Sequence, residues 1–390
     1  MGIVTLIDGV LFGLSALYAA YLLFFALAAR TWRAKKRQSP ESRPDDALRR
    51  IAVMIPAYAE DKVIGECVAS FLAQAYPAEK YRICVISDHM EEATNQTLSA
   101  LPIQLIEAHF PDGSTKVKAL NLAFSQLADF DIAVIMDADN TVEPSFLQEI
   151  NRAFSTGSRV VQAHRQAKHT DTPFQVLDAL SEEINNTIFR LGHVQAGLSS
   201  ALIGSGMAFE FSGLKETLKS FTSVGGFDKE LEHHYLRRGY RFDYLQETPV
   251  YDEKIKKPEA FAKQRKRWLS AQFVYLRRFG PEIPWAVRNR RFDFLDKILQ
   301  TAMPPRILFL GGTFLIALLT LLLFRPLFSK WLALWLTVSC TLAIAIPNRL
   351  WNRKLITAAL YAGQAFVLMF LTLFRIKGAN RRFIHTSHGN

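Results

Sequence analysis

The chain has 390 residues, 49% of them hydrophobic, and a formal net charge of +11 from 47 Lys and Arg against 36 Asp and Glu. That length allows more than one domain's core, and the charge favours an anionic partner: nucleic acid, an anionic membrane surface or a phosphorylated substrate. Only three Cys occur (Cys67, Cys84 and Cys340), without metal-ligand spacing, so neither a disulfide framework nor a cysteine-based zinc site is implied, and the hydrophilic part suits a reducing compartment.

No charged residue stands between Asp8 and Arg30, an apolar run long enough to cross the roughly 30 Å hydrocarbon core as a helix. "ALA" at 26–28 mimics a signal-peptide cleavage site. The segment nevertheless lacks a basic leading region, opens with an acid and is long for a signal sequence, so residues 1–30 read as a retained anchor. "RTWRAKKR" (30–37) follows, and the positive-inside rule puts that side in the cytoplasm. Residues 31–49 read as a basic linker, clearest at "RQSPESRPDD" (37–46).

From residue 50 the pattern alternates. β-Branched apolar runs recur at "IAVMIPAY" (51–58), "RICVISD" (82–88), "IQLIEAH" (103–109), "IAVIMDAD" (132–139) and "SRVVQAH" (158–164). Amphipathic helical stretches lie between them, such as 62–75 and 116–128. This βαβ signature predicts an α/β domain at 50–280 with a mostly parallel sheet and flanking helices, which binds ligands beyond the carboxyl ends of its strands. No Gly-x-Gly-x-x-Gly or P-loop lysine follows a strand, which argues against dinucleotide and ATPase functions.

Acids stand at two strand ends: Asp88, and Asp137 with Asp139 in "MDADN". Two carboxylates two residues apart can engage a hard divalent cation, Mg²⁺ or Mn²⁺, or simply stop a strand in a turn. "PAYAE" (56–60) forms a polar turn after the first strand. Lys116, opening a helix, is either a phosphate contact or a solvated surface lysine. Gly204 and Gly206 in "LIGSGMAF" (202–209) permit close approach of a substrate or a bulge. "AFAKQRKRWLSAQ" (260–272) crowds four basic residues into 263–267, as a solvated face, a binding patch or part of a site.

Beyond it, "RNRRFDFLDKIL" (288–299) has the make-up of an amphipathic helix lying in the membrane plane, within an interfacial segment at 281–306. Apolar runs at 307–324 and 331–346 read as a hairpin of two spans joined by "RPLFSK". In 347–390, a fourth apolar stretch at 355–374 lies between the basic "PNRLWNRK" and "RIKGANRR". A full span would put the basic tail outside, against the charge rule, so a re-entrant or in-plane segment on the cytoplasmic face is preferred to a fourth crossing.

Taken in order, "VMIPAYAED" (53–61), "VISDH" (85–89), "KVKALN" (116–121), "MDADN" (136–140), "GFDKELEHHYLRRGY" (226–240) and "QRKRW" (264–268) resemble the membrane-integral family 2 glycosyltransferases. That group contains cellulose, chitin and hyaluronan synthases and ceramide glucosyltransferase. The resemblance implies a GT-A type nucleotide-sugar domain that transfers sugar from a UDP-sugar with inversion, using Mg²⁺ or Mn²⁺. It further implies that Pro56, Tyr58, Glu60 and Asp88 line the base and ribose pocket. Lys116 would approach the diphosphate, and Asp139 would hold the metal with help from Asp137. Gln264, Arg267 and Trp268 would close the site, leaving Lys263, Arg265 and Lys266 as ordinary membrane-facing charge.

The general base falls on Asp228, separated by ten residues from Gly239, with Glu230 and Glu232 as fallbacks; Phe227 stands where the family carries another acid. The structural alternative for Asp228 is a helix cap. The acceptor is either a growing polysaccharide or a lipid. Few spans argue against a self-sufficient polymer channel, so polymer export would need an oligomer or a partner. The implied location is the bacterial inner (plasma) membrane, multi-pass, with a cytoplasmic catalytic domain. A membrane-anchored binder of nucleic acid or anionic lipid would explain the charge but not the acid pair or Asp228, and no nucleic-acid motif is present. A transporter is disfavoured because most of the chain is not membrane-like. The sequons "NQT" (95–97) and "NNT" (185–187) fall inside the cytoplasmic domain and read as chance matches.

Overall fold

The computed structural model describes residues 2–31, 47–221, 225–256 and 258–374. The linker at 37–46, most of "RTWRAKKR" and the basic tail after 374 lie outside the described residues.

One eight-stranded sheet forms the core of the middle region. Its strands are β1 (Ile51–Tyr58), β2 (Tyr81–Asp88), β3 (Gln104–Ala108), β4 (Ile132–Ile135), β5 (Thr141–Val142), β6 (Val160–Ala167), β7 (Met207–Glu210) and β8 (Asp243–Asp252). The spatial order is β3-β2-β1-β4-β7-β6-β8-β5. The β3-β2-β1-β4 half is parallel, as the apolar runs predict. β6 and β8 are also parallel, while β7 runs antiparallel to both its neighbours and β5 antiparallel to β8. The five strands anticipated from sequence are all present. Three strands are not evident from the sequence: β5 is only two residues long, β7 follows a glycine loop, and β8 is masked by polar residues and Pro249 beside an irregularity in its ladder with β6. β4 stops at Ile135, so both acids of "MDADN" stand on the turn beyond it. Pro56 is tolerated within β1 because β4 pairs only with residues 51–54, and its missing N–H lies past that ladder.

Among the described residues, four helices are long and apolar enough to cross a membrane. Three of them, Gly2–Arg30, Arg306–Leu323 and Arg325–Ala345, share a buried core that includes Leu22, Phe309, Trp331 and Val338. Asp8 pairs with Lys330 and accepts from Trp331 Nε1 at 2.9 Å, so the acid that opens the first apolar run is matched across the bundle. "RPLFSK" is not a connecting loop. The helix begins at Arg325 with proline in its first turn, where no N–H is needed, and Phe324 alone separates the two helices.

The fourth helix, Arg353–Leu373, packs differently. Its buried stripe holds Ala358 and Ala365. Ala358 packs with Leu180, and Ala365 with Phe174 and Phe261, so it runs antiparallel along the domain helix Pro173–Asn185. Its outer side is apolar and bare, with Leu360 80% exposed.

The segment at 281–306, expected as one amphipathic helix, carries two helices, Ile283–Arg288 and Phe292–Ala302. The second joins the domain to the apolar helix Gly2–Arg30: Tyr21 donates its hydroxyl to Asp296 Oδ1 at 2.6 Å. Beside it, the His193 ring stacks on Phe25 with centroids 3.6 Å apart. The π-helix Asn186–Gly192 lies against the same helix so closely that a Cβ on Gly192 would come within 2.2 Å of the Phe25 carbonyl oxygen. Gly192→Ala is therefore expected to push the helix Gly2–Arg30 off the domain at a cost of about 1–3 kcal/mol. Thermal unfolding in detergent checks this: a lowered Tm is expected, and an unchanged one would show that the seam is not packed this tightly.

Candidate active site

The ends of β1 and β2 form the first part of the site. Tyr58 and Asp88 are register partners, and the residues after them, Ala59 and His89, both have positive φ, 50° and 56°. Two adjacent non-glycine residues in the left-handed region mark a turn held in place by its surroundings. The Ala59 N–H donates to the Asp88 carbonyl at 3.0 Å. His89 Nδ1 lies 2.6 Å from Asp88 Oδ1, and its ring is 4.9 Å from that of Tyr58. Tyr58, Asp88 and the buried Glu60 are thus gathered at one edge, with Pro56 just inside the strand. His89 belongs to this group although it stood in the quoted "VISDH" without a role.

β1 neighbours β4, so the acid turn lies beside this edge. The two acids differ. Asp137 is partly open and pairs with Lys116, which also donates to the Gly204 carbonyl at 2.7 Å. Asp139 is buried and accepts from Asn140 Nδ2 at 3.0 Å. The Lys116 ammonium further lies 5.3 Å from the centre of the Phe227 ring. Lys116, Asp137, Gly204 and the start of the helix Phe227–Arg237 therefore meet at one point. Gly204 leaves room there, since an added Cβ would find its nearest neighbour, Phe227, at 3.9 Å. Gly206 does not. Its Cβ would strike Val250 at 2.9 Å, so its task is close packing of β7 rather than substrate contact.

Asp228 sits in the first turn of that helix, after Gly226 at φ 70°. Burial raises its pKa above 3.8, aided by the nearby Glu232 charge and opposed by Lys229 and by backbone N–H groups at the helix start. The fallback acids are occupied. Glu232 Oε1 accepts the Leu202 N–H at 2.6 Å and its Oε2 takes Lys229 Nζ at 2.8 Å. Glu230, buried, pairs with Arg278 at 2.6 Å.

Gln264, Arg267 and Trp268 come from the long helix Pro258–Phe279. Burial lowers the Arg267 pKa, opposed by the charges of Asp137 and Asp228, which both lie within its electrostatic reach. Trp268 is 37% exposed. Gln264 Oε1 is buried without a hydrogen-bond partner, an acceptor to which a donor on a ligand could bond. The oxygen donors at the acid turn suit a hard cation. Among the described residues no three His, Cys, Asp or Glu side chains gather as a complete metal site. Asp137 and Asp139 would thus hold Mg²⁺ or Mn²⁺ only with further oxygens from a ligand or water, the habit of Mg²⁺ at phosphate sites.

Arg265 is not membrane-facing charge. It is buried, its Nη2 lies 2.6 Å from Asp178 Oδ1, and its guanidinium is sandwiched 4.7 Å from the Phe261 ring centre and 4.3 Å from that of Trp268. Burial lowers its pKa, with Asp178 opposing. Removing one partner of a buried pair costs about 3–5 kcal/mol. Arg265→Met should therefore lower Tm far more than Arg277→Met at an exposed position of the same helix; equal effects of the two variants would contradict this burial.

Residues 49–271, more than half of the chain, match the model of the family described as glycosyltransferase like family 2. Beta-monoglucosyldiacylglycerol synthase of Synechocystis sp. is 22% identical over 305 residues, covering 72% of this chain and 62% of its own length. A probable glycosyltransferase of Bacillus subtilis, YdaM, is 26% identical over 118 residues, 29% of this chain and 26% of its own. The chain thus spans less than two thirds of either curated relative. Among solved structures, mannosyltransferase PcManGT from Pyrobaculum calidifontis, in complex with GDP-Man and Mn²⁺, shares the fold with a TM-score of 0.51 at 19% identity, over 92% of this chain and 99% of that one. The chain belongs to the glycosyltransferase like family 2.

Proposed function

We propose that the chain is an inverting, metal-dependent transferase that moves a sugar from a UDP-sugar to the hydroxyl of a membrane lipid at the cytoplasmic face. One observation carries this reading: Lys116 pairs with Asp137, donates to the Gly204 carbonyl at 2.7 Å and lies 5.3 Å from the ring centre of Phe227, the residue before Asp228. A cation able to meet a diphosphate therefore stands beside the acid turn and the start of the helix that carries a carboxylate able to take a proton.

In this reading the nucleoside occupies the edge formed by Tyr58, Glu60, Asp88 and His89. Asp228 accepts the proton of the acceptor hydroxyl as its oxygen attacks the anomeric carbon. The bond from that carbon to the diphosphate breaks, and the leaving nucleoside diphosphate is met by Lys116 and Arg267, placed where its charge develops. Arg suits this task because its planar fork matches phosphate oxygens and stays charged. A bound divalent cation would add Lewis-acid stabilisation of the diphosphate. Gln264 and Trp268 would orient sugar and acceptor.

A lipid acceptor is favoured by the setting of the helix Pro258–Phe279. Phe261 near its start packs on Ala365 of the apolar helix Arg353–Leu373. Gln272 further on donates to the Thr301 and Met303 carbonyls at 2.7 and 2.6 Å, just before the apolar helix Arg306–Leu323. The residues that would close the site thus stand between two apolar helices. The Synechocystis relative is a beta-monoglucosyldiacylglycerol synthase by name, which supports a lipid acceptor. In this scheme the helices Gly2–Arg30, Arg306–Leu323 and Arg325–Ala345 cross the bacterial inner membrane. Arg353–Leu373 lies in its cytoplasmic plane against the domain.

Asp228→Asn is expected to cut transfer by about 100- to 10,000-fold while nucleotide binding stays unchanged. The base works deprotonated and burial raises its pKa above 3.8. Wild-type kcat/KM should therefore fall, as pH drops, at a pH above that of an ordinary aspartate, with full activity on the alkaline side. Near-normal transfer by Asp228→Asn, or an acid limb at or below the ordinary aspartate value, would contradict the assignment.

A further inference from the structure

We propose that residues 283–302 form a surface that binds anionic lipid head groups, separate from the sugar-transfer site. The two short helices of this segment are apolar on more than one side. Their inner side is committed to the domain, where Ala286, Phe294 and Ile298 are buried. Yet Ile283 and Val287, one turn apart, and Phe292 and Leu299, two turns apart, are exposed. Phe292, Asp296 and Leu299 share one helix face. Asp296 takes the hydroxyl of Tyr21 from the apolar helix Gly2–Arg30. The exposed Phe292 and Leu299 therefore flank a helix that the proposed topology places in the bilayer, so their surroundings are lipid.

Charge selects the kind of lipid. The acids of the segment are turned inward or already matched. Asp293 accepts from the Ser199 N–H and hydroxyl at 3.1 and 2.7 Å, Asp296 from Tyr21 and Gln300, and the preceding Glu282 pairs with Arg237 at 2.7 Å. The one lysine, Lys297, is buried and donates to the Ser199 carbonyl at 2.9 Å. What faces outward is Arg288 and Arg290, both exposed at the turn between the helices. Arg290 has φ 52°, a conformation in which glycine or asparagine is the usual occupant. Arginines beside exposed apolar side chains, with no acid of the segment left outside, form a surface complementary to anionic head groups over a hydrocarbon layer.

The test uses the full chain in nanodiscs of phosphatidylcholine alone or with phosphatidylglycerol, read by hydrogen–deuterium exchange over 283–302. Slower exchange is expected with the anionic lipid, and an Arg288→Gln/Arg290→Gln variant of unchanged Tm should lose that difference. Equal exchange in both lipids, a difference that survives in the variant, or protection that appears only when a second protein is added would each overturn the proposal. It rests on the membrane-embedded reading above, which incorporation into the disc tests separately.

Discussion

A single buried amide ties the parts of the site to one another. Asn140 donates to Asp139 at 3.0 Å and to Asp252 at 3.3 Å, and accepts the hydroxyl of Ser205. That hydroxyl in turn accepts the N–H of Asp137 at 2.9 Å. The acid turn after β4, the glycine loop before β7 and the end of β8 are thereby fixed in one arrangement. Asp252 is itself held by Lys254 at 2.7 Å and Arg165 at 3.4 Å, and Arg165 reaches Glu182 at 2.9 Å. Burial opposes the charge on Glu182, yet Arg165, Arg190 and Lys254 keep its pKa below the ordinary value. A network of buried charges tolerates little displacement, because any broken pair leaves an uncompensated ion. The acids of the turn after β4 therefore stand on a rigid base, which is what the proposed electrostatic stabilisation of a leaving group requires.

The same logic carries the site toward the apolar helices. Asp178 and Glu182 lie on one helix, Pro173–Asn185. Glu182 belongs to the network behind the acid turn, while Asp178 grips Arg265, whose guanidinium supports the Trp268 ring. The fourth apolar helix packs along the outer side of that same element. The network behind the acid turn and the packing of an apolar helix thus meet on one helix, Pro173–Asn185.

Much of this was legible in the sequence because burial on both faces demands β-branched runs, and those runs end where ligand chemistry needs acids. Lys116, Asp137, Gly204 and the helix start that carries Asp228 come together from four separate segments. What was not legible depends on tertiary surroundings. Nothing local distinguishes the buried Arg265 from the exposed Lys263 two positions away. Gly206 looked like Gly204 but answers to Val250 of a strand whose polar residues concealed it. Glu230 and Glu232 matched the spacing of a base, yet one is spent on Arg278 and the other on a backbone N–H and Lys229. "RPLFSK" read as a loop because its helix-starting proline also suits turns.

In the proposed reaction one carboxylate, Asp228, acts as base in a single displacement, while Glu230 pairs with Arg278 and Glu232 holds the Leu202 N–H and Lys229. Such a displacement must invert the anomeric centre. The most direct measurement is the anomeric configuration of the purified glycolipid product by NMR, starting from α-linked UDP-sugars. A β-linked product is predicted; an α-linked product would show retention and contradict base-assisted single displacement by Asp228.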